Sequence, residues 1–133
     1  MKQNLSSHSA HLLHVHMVFV VKYRRQALTD PMLTELEELF RHTLTPMNAN
    51  LTEFNGEADH VHLLITYPPS IAVGELAKRL KGSSAYHLRL RYPHLRNRVH
   101  RSALWTAAYF ASSAGGAPLD IIRRYIQQQE RPE

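Results

Sequence analysis

The chain has 133 residues, 44% of them hydrophobic, which suits one domain with a core of its own. It contains no cysteine, so disulfides and thiolate-bound zinc are excluded and a reducing cytoplasm is the expected compartment; no apolar run approaches the roughly 20 residues of a membrane span. The formal charge of +5, with ten histidines counted as neutral, and a pI near 9.8 suit an anionic partner.

In chain order, residues 1–9 are polar and read as a disordered tail. From His11 to Lys22 the residues alternate, with Leu13, Val15, Met17, Phe19 and Val21 on one face and His14, His16, Val18 and Val20 on the other. That pattern predicts a central strand with one more polar face. Thr29-Asp30-Pro31 predicts a capped helix start, Leu33, Leu36, Phe40 and Leu44 its buried stripe, and Pro46 its end. A second strand is expected from Asn50 to Phe54, turning either at Asn55-Gly56 or at Glu57-Ala58.

The chain then returns antiparallel through Asp59-His60-Val61-His62-Leu63-Leu64-Ile65-Thr66-Tyr67. In a strand, the spacing of two sends His60, His62 and Thr66 to one face and Val61, Leu63 and Ile65 to the other, which reads as core. Neutral imidazole is the commonest protein metal ligand, although a His pair also serves as the polar side of a sheet. His14-Val15-His16 has the same spacing, and nothing in the first strand prefers the later pair as ligands.

Ile71 to about Tyr92 reads as a second helix through Leu76, Leu80 and Leu88, with Gly82-Ser83-Ser84 as a softening point and Pro93 as its close. Leu104 to Ala111 is aromatic enough to predict a fourth strand. Residues 112–116 form a small-residue hinge, and a last helix is expected over 118–129. In that helix Leu119, Ile122 and Ile126 make the packing stripe, and Tyr125 and Gln129 lie four apart on the neighbouring one.

The order β-α-β-β-α-β predicts a single α+β domain, 1–133, with a ferredoxin-like (RRM-like) antiparallel sheet and an extra C-terminal helix. The first and third strands would then be central neighbours. His60 and His62 would lie on the sheet face opposite the two helices.

Charge is unevenly placed. Between Glu75 and Asp120 there is no acidic residue, while Lys78, Arg79, Lys81, Arg89, Arg91, Arg96, Arg98 and Arg101 all fall inside that interval. A solvated helix face normally interleaves both signs, so this interval reads as a phosphate-tracking surface.

Taken together, Asp59-His60-Val61-His62-Leu63-Leu64, Leu80-Lys81-Gly82-Ser83-Ser84, Leu104-Trp105, Tyr109-Phe110, Gly115-Gly116-Ala117-Pro118-Leu119 and Tyr125-Ile126-Gln127-Gln128-Gln129 resemble the single-tyrosine transposases of the HUH superfamily, which mobilise small insertion sequences lacking terminal inverted repeats. Val18 to Arg25 is similar to that family's first strand and its exit. The resemblance runs from about His16 to Gln129. It implies that His60, His62 and Gln129 hold a divalent metal, Mg²⁺ or Mn²⁺, with no nucleotide cofactor, and that Tyr125 attacks phosphate to leave a 5′-phosphotyrosine bond and a free 3′-hydroxyl. It also implies single-stranded DNA with subterminal hairpins as substrate, and a homodimer whose tyrosine helix docks on the partner. Lys78, Arg79, Lys81, Arg89 and Arg91 are the candidate backbone contacts, with Trp105 or Tyr109 as a stacking surface. The sequence departs from the family at Asn55-Gly56-Glu57-Ala58, where a proline near Ala58 is expected.

Two other classes fit part of the pattern. A ferredoxin-like sheet is also the RNA-recognition architecture, so a non-catalytic single-stranded nucleic-acid-binding module is one. An HUH nickase that cleaves without strand exchange is the other.

Overall fold

The computed structural model describes residues 12–115 and 118–132. The tail expected at 1–9 and the last hinge residue, Gly116, lie outside the described residues. Four strands, β1 (Leu13–Val20), β2 (Asn50–Gly56), β3 (His60–Tyr67) and β4 (Phe110–Ser113), form one antiparallel sheet in the order β2-β3-β1-β4. This is the ferredoxin-like arrangement, with β1 and β3 as central neighbours. Helices α1 (Asp30–Leu44) and α2 (Val73–Arg91) cover one face; short α3 (Leu95–Arg98) follows α2, and α4 (Pro118–Gln127) ends the fold. No helix among the described residues is long and apolar enough to cross a membrane.

Strict alternation explains the two faces. Val15, Met17 and Phe19 of β1 and Val61, Leu63 and Ile65 of β3 are fully or nearly buried against Leu33, Leu36 and Phe40 of α1 and Leu76, Leu80 and Leu88 of α2. Helix α1 starts where its cap predicts, with Thr29 Oγ1 accepting from the Met32 N–H at 3.4 Å. Helix α2 runs unbroken through Gly82-Ser83-Ser84, because buried Ser84 turns its hydroxyl back to the Lys81 carbonyl and receives the Trp105 indole N–H. In β2 both Leu51 and Phe54 reach the core despite a spacing of three, since the ladder slips between Leu51 and Glu53 and the extra residue restores the alternation.

One open choice is settled and two expectations need correction. The turn after β2 lies beyond Gly56, at the second of the two expected positions: the Glu57 N–H closes it on the His60 carbonyl at 2.9 Å, and Ala58 O accepts from both Ala27 and Leu28, so it is anchored without a proline. The fourth strand is Phe110–Ser113, not Leu104 to Ala111. Leu104 and Trp105 are both buried and make an isolated bridge, from Trp105 to Val21, in place of a ladder before the chain loops on to the sheet edge. Finally, Ser112 and Ser113, expected in a hinge, pair with His16 and Val15, and Ala114 is buried with its N–H on the His14 carbonyl at 2.8 Å.

Candidate functional site

The face of the sheet left free by α1 and α2 carries the histidines. Register places Val18 opposite His62, Val20 opposite His60 and His16 opposite Leu64, so His60, His62 and His16 share that face. His16 Nε2 lies 3.1 Å from His62 Nδ1, while His60 Nδ1 lies 2.7 Å from the Asp59 carboxylate. His14 contacts Thr66 at 3.0 Å, and Thr66 in turn contacts Thr52 at 2.9 Å.

Burial dominates the electrostatics here. His62 is only 4% exposed, and burial first, then the charges of His60 and His16, push its pKa down from 6.5 to about 4, against a smaller upward pull from Gln129. His16 is likewise lowered by burial. Burial raises the Asp59 carboxyl, but the hydrogen bond and charge of His60, with Arg24 and Gln26, bring it below its usual value. Both rings, His16 and His62, are therefore neutral at neutral pH, the state in which imidazole ligates metal.

Helix α4 brings the tyrosine to this face. Ile126 is fully buried against Leu64 and Ala114, with Leu119 and Ile122 beside them, as the packing stripe predicts. One stripe over, Tyr125 is half exposed and stands edge-on to His62, ring centroids 5.2 Å apart, and 6.3 Å from the His16 ring. Gln129 lies just past the end of α4. Its main-chain oxygen accepts from Asn55 Nδ2 at 3.0 Å, and Asn55 is the β2 residue paired with His62. The Gln129 amide donates to the Tyr125 carbonyl at 3.2 Å, and its side chain lies near enough to His62 to pull that ring's pKa up slightly. Gln127 donates to Glu53 at 2.9 Å, and Arg131 Nε lies 2.7 Å from Asp30 Oδ1, so the chain after Tyr125 is tied to its own β2 and α1.

Of the residues that sequence selects, His60, His62, Tyr125 and Gln129 come together at the end of β3. The donor set fits a divalent metal in one specific respect. Among the described residues His62 Nε2 is buried with no hydrogen-bond partner, an expensive state for a polar atom unless a ligand satisfies it. No three of His, Cys, Asp and Glu gather as a cation site among the described residues.

The DNA-contact candidates lie elsewhere. Lys78, Arg79, Lys81, Arg89 and Arg91 all stand on α2, across the sheet from the histidines. Arg79 pairs with Glu75 at 2.8 Å and Arg91 with Glu35 at 3.5 Å; Lys81 donates to the Ala107 carbonyl, its pKa lowered by burial, and Arg89 donates to the Ala85 and Arg101 carbonyls. Exposed pairs of this kind are weak and can be exchanged for phosphate. Trp105 is a correction: it is 5% exposed, its ring set against Phe19 and its indole N–H on Ser84, so it has no free face for a base. Tyr109 is exposed, with the Lys81 ammonium 5.5 Å from its ring centroid. A depression of about 660 Å³ lined by His42, Thr45, Arg79 and Ser83 also lies on the helical side, across the sheet from the histidines.

Sequence reasoning noticed His16 but gave it no role, and it overlooked Asn55. Both depend on which strand lies beside β3, and the signal for His16 was present in the matching alternation of two strands expected to be neighbours. It also overlooked Tyr23, an exposed ring held at a positive φ of 61° with Lys22 and Arg25 over it at 5.4 and 5.6 Å.

Comparison with known proteins gives the family and the fold. The model of the family described as "Transposase IS200 like" matches residues 9–129. The chain is 29% identical over 121 residues to the ISDra2 transposase TnpA of Deinococcus radiodurans, covering 91% of this chain and 86% of the relative. It is also 29% identical over 114 residues to the transposase of insertion sequence element IS200 of Salmonella typhimurium, covering 86% and 74%. Among solved structures, one from D. radiodurans R1 assigned as a transposase superimposes with a TM-score of 0.75 at 27% identity, covering 98% of this chain and 99% of that one. A REP-associated tyrosine transposase bound to a REP hairpin shares the fold, with a TM-score of 0.59 at 10% identity over 95% and 68%.

Proposed function

Since the chain belongs to the IS200-like transposase family, we propose that it cleaves and rejoins single-stranded DNA at the ends of an insertion sequence, in the cytoplasm, through a covalent bond to Tyr125. The observation that carries this reading is the juxtaposition of Tyr125 with His62, ring centroids 5.2 Å apart, beside an Nε2 that is buried and unpartnered.

His60, His62 and Gln129 would hold the metal, and their chemistry favours weak binding. Imidazole suits Mn²⁺ better than Mg²⁺, which prefers oxygen and retains waters. When bound, a divalent cation would draw charge from the scissile phosphate as a Lewis acid. Tyr125 Oη attacks phosphorus in line; the new O–P bond replaces the bond to the 3′ oxygen, the phenol gives up its proton, and the departing 3′ oxygen takes one up as hydroxyl. One phosphodiester is exchanged for another, so rejoining by a 3′-hydroxyl needs no nucleotide. A neutral phenol is a poor nucleophile, which is why the reaction depends on the neighbouring ligand set.

The substrate reading rests on the family and on the acid-free basic interval. The shared fold with a transposase bound to a REP hairpin supports recognition of subterminal hairpins, with α2 and Tyr109 tracking the backbone and bases. A homodimer is supported by β4, an edge strand whose four residues, Phe110–Ser113, are all exposed.

The test is a denaturing gel of the chain incubated with single-stranded ends of its element and Mn²⁺. Wild type should give a covalent protein–DNA adduct. Tyr125→Phe, which removes one oxygen, should give none while still shifting hairpin DNA in a native gel. Adduct at full yield from Tyr125→Phe would overturn the assignment.

A further inference from the structure

We infer that His16 is a positioning residue for the metal site: its Nε2 accepts the Nδ1–H of His62 and thereby fixes His62 in the tautomer whose Nε2 carries a lone pair. This rests on the reading of His62 as a ligand. The geometry is that of a ring-to-ring hydrogen bond. The nitrogens are 3.1 Å apart and the ring planes differ by 19°, so an N–H in the plane of one ring points along the lone pair of the other. The centroid separation of 5.3 Å is what two ring radii and that bond require, and it is too long for face-to-face stacking.

A neutral imidazole has one N–H and one lone pair, so the occupant of Nδ1 decides the chemistry of Nε2. Were His16 the donor, His62 would carry its proton on Nε2, where it has no partner and is buried. With His16 as acceptor, the buried Nε2 becomes a lone pair that a cation satisfies. His60 is arranged in the same way, with its Nδ1 on the Asp59 carboxylate at 2.7 Å. Both proposed histidine ligands thus have Nδ1 engaged by the protein, the pattern by which outer groups set tautomer and orientation at metal sites. His16 itself meets the Phe110 ring at 5.8 Å and the Tyr125 ring at 6.3 Å, and it is 9% exposed.

Two measurements test this, and the first needs no variant. In ¹⁵N-labelled, metal-free wild-type protein at neutral pH, long-range ¹H–¹⁵N correlations should show His62 protonated on Nδ1; a proton on Nε2 would overturn the inference. In the second, Mn²⁺ alone is titrated and free ion is followed by electron paramagnetic resonance. His16→Phe keeps a flat ring without nitrogen and should weaken Mn²⁺ binding by about 10–100-fold. His16→Gln, whose amide oxygen can accept the same proton, should recover most of it. Wild-type affinity in His16→Phe would sink the positioning role. His62→Ala separates the two levels: if it keeps wild-type affinity, the ligand assignment fails; if it loses binding while His16→Phe does not, only the role of His16 fails.

Discussion

A Cβ built on Gly56 would stand 2.8 Å from the carbonyl oxygen of His60 and 2.9 Å from Val61 Cγ1. The backbone at Gly56 is ordinary strand, paired with Val61, so glycine is required there for space and not for a turn. The contact lies where β2 and β3 separate, with Leu33 of α1 3.0 Å from the same point, so any side chain would push the histidine strand or α1 aside. Gly56→Ala should destabilise the fold by about 1–3 kcal/mol, the usual cost of overpacking, and should lower adduct formation in proportion. Urea denaturation measures it; an unchanged midpoint would show that the hairpin yields freely.

A pH dependence follows from His62. Its folded pKa of about 4 lies below the ordinary 6.5, so the folded chain refuses a proton that the unfolded chain accepts. Its contribution is fully present above pH 6.5 and is lost as the pH falls from 6.5 to about 4, by about 3 kcal/mol at most. In metal-free protein, the stability difference between wild type and His62→Gln should change across that window and level off below it. A difference that stays constant from pH 7 to 4 would mean that His62 titrates as it does in the unfolded chain.

The basic surface makes a separate prediction. Arg79 is exposed and, among the described residues, paired with Glu75 alone, so Arg79→Glu should weaken binding to hairpin DNA of any sequence and reduce the salt slope of log K by about one contact. Arg89→Glu should do the same with an added loss of stability, since Arg89 also supports the Ala85 and Arg101 carbonyls. Unchanged slopes in both variants would move the DNA surface off α2.

What could be read from sequence divides along physical lines. Period two in β1 and β3, the cap at Thr29 and the stripe Leu119, Ile122, Ile126 are local, and each appears where expected. Leu104-Trp105 misled because aromatic content implies burial without saying whether it is met by a strand or by a loop that fills the core. Gly56 and Asn55 took their roles from contacts with residues that only the folded register brings near. His16 falls between these cases: its face was readable, but its nitrogen on His62 was not.

The last prediction concerns which chain supplies the tyrosine. In this structure α4 lies on its own sheet, held by Ile126 on Leu64, by Asn55 on Gln129, by Gln127 on Glu53 and by Arg131 on Asp30. Every one of these contacts is made by residues that a second copy would present identically, so exchange of α4 between protomers would lose none of them in sum. The sequence joining β4 to α4 includes Gly115-Gly116, the residues least restricted in backbone direction. We therefore expect Tyr125→Phe and His62→Ala chains, each inactive alone, to regain adduct formation when co-expressed as mixed dimers. In an exchanged dimer, one site unites the intact histidines of the first chain with the intact tyrosine of the second. If each tyrosine instead serves its own sheet, every site lacks one essential group and the mixture stays inactive. Absence of rescue, with mixed dimers isolated by two affinity tags, would rule out exchange and assign cleavage to the arrangement within one chain.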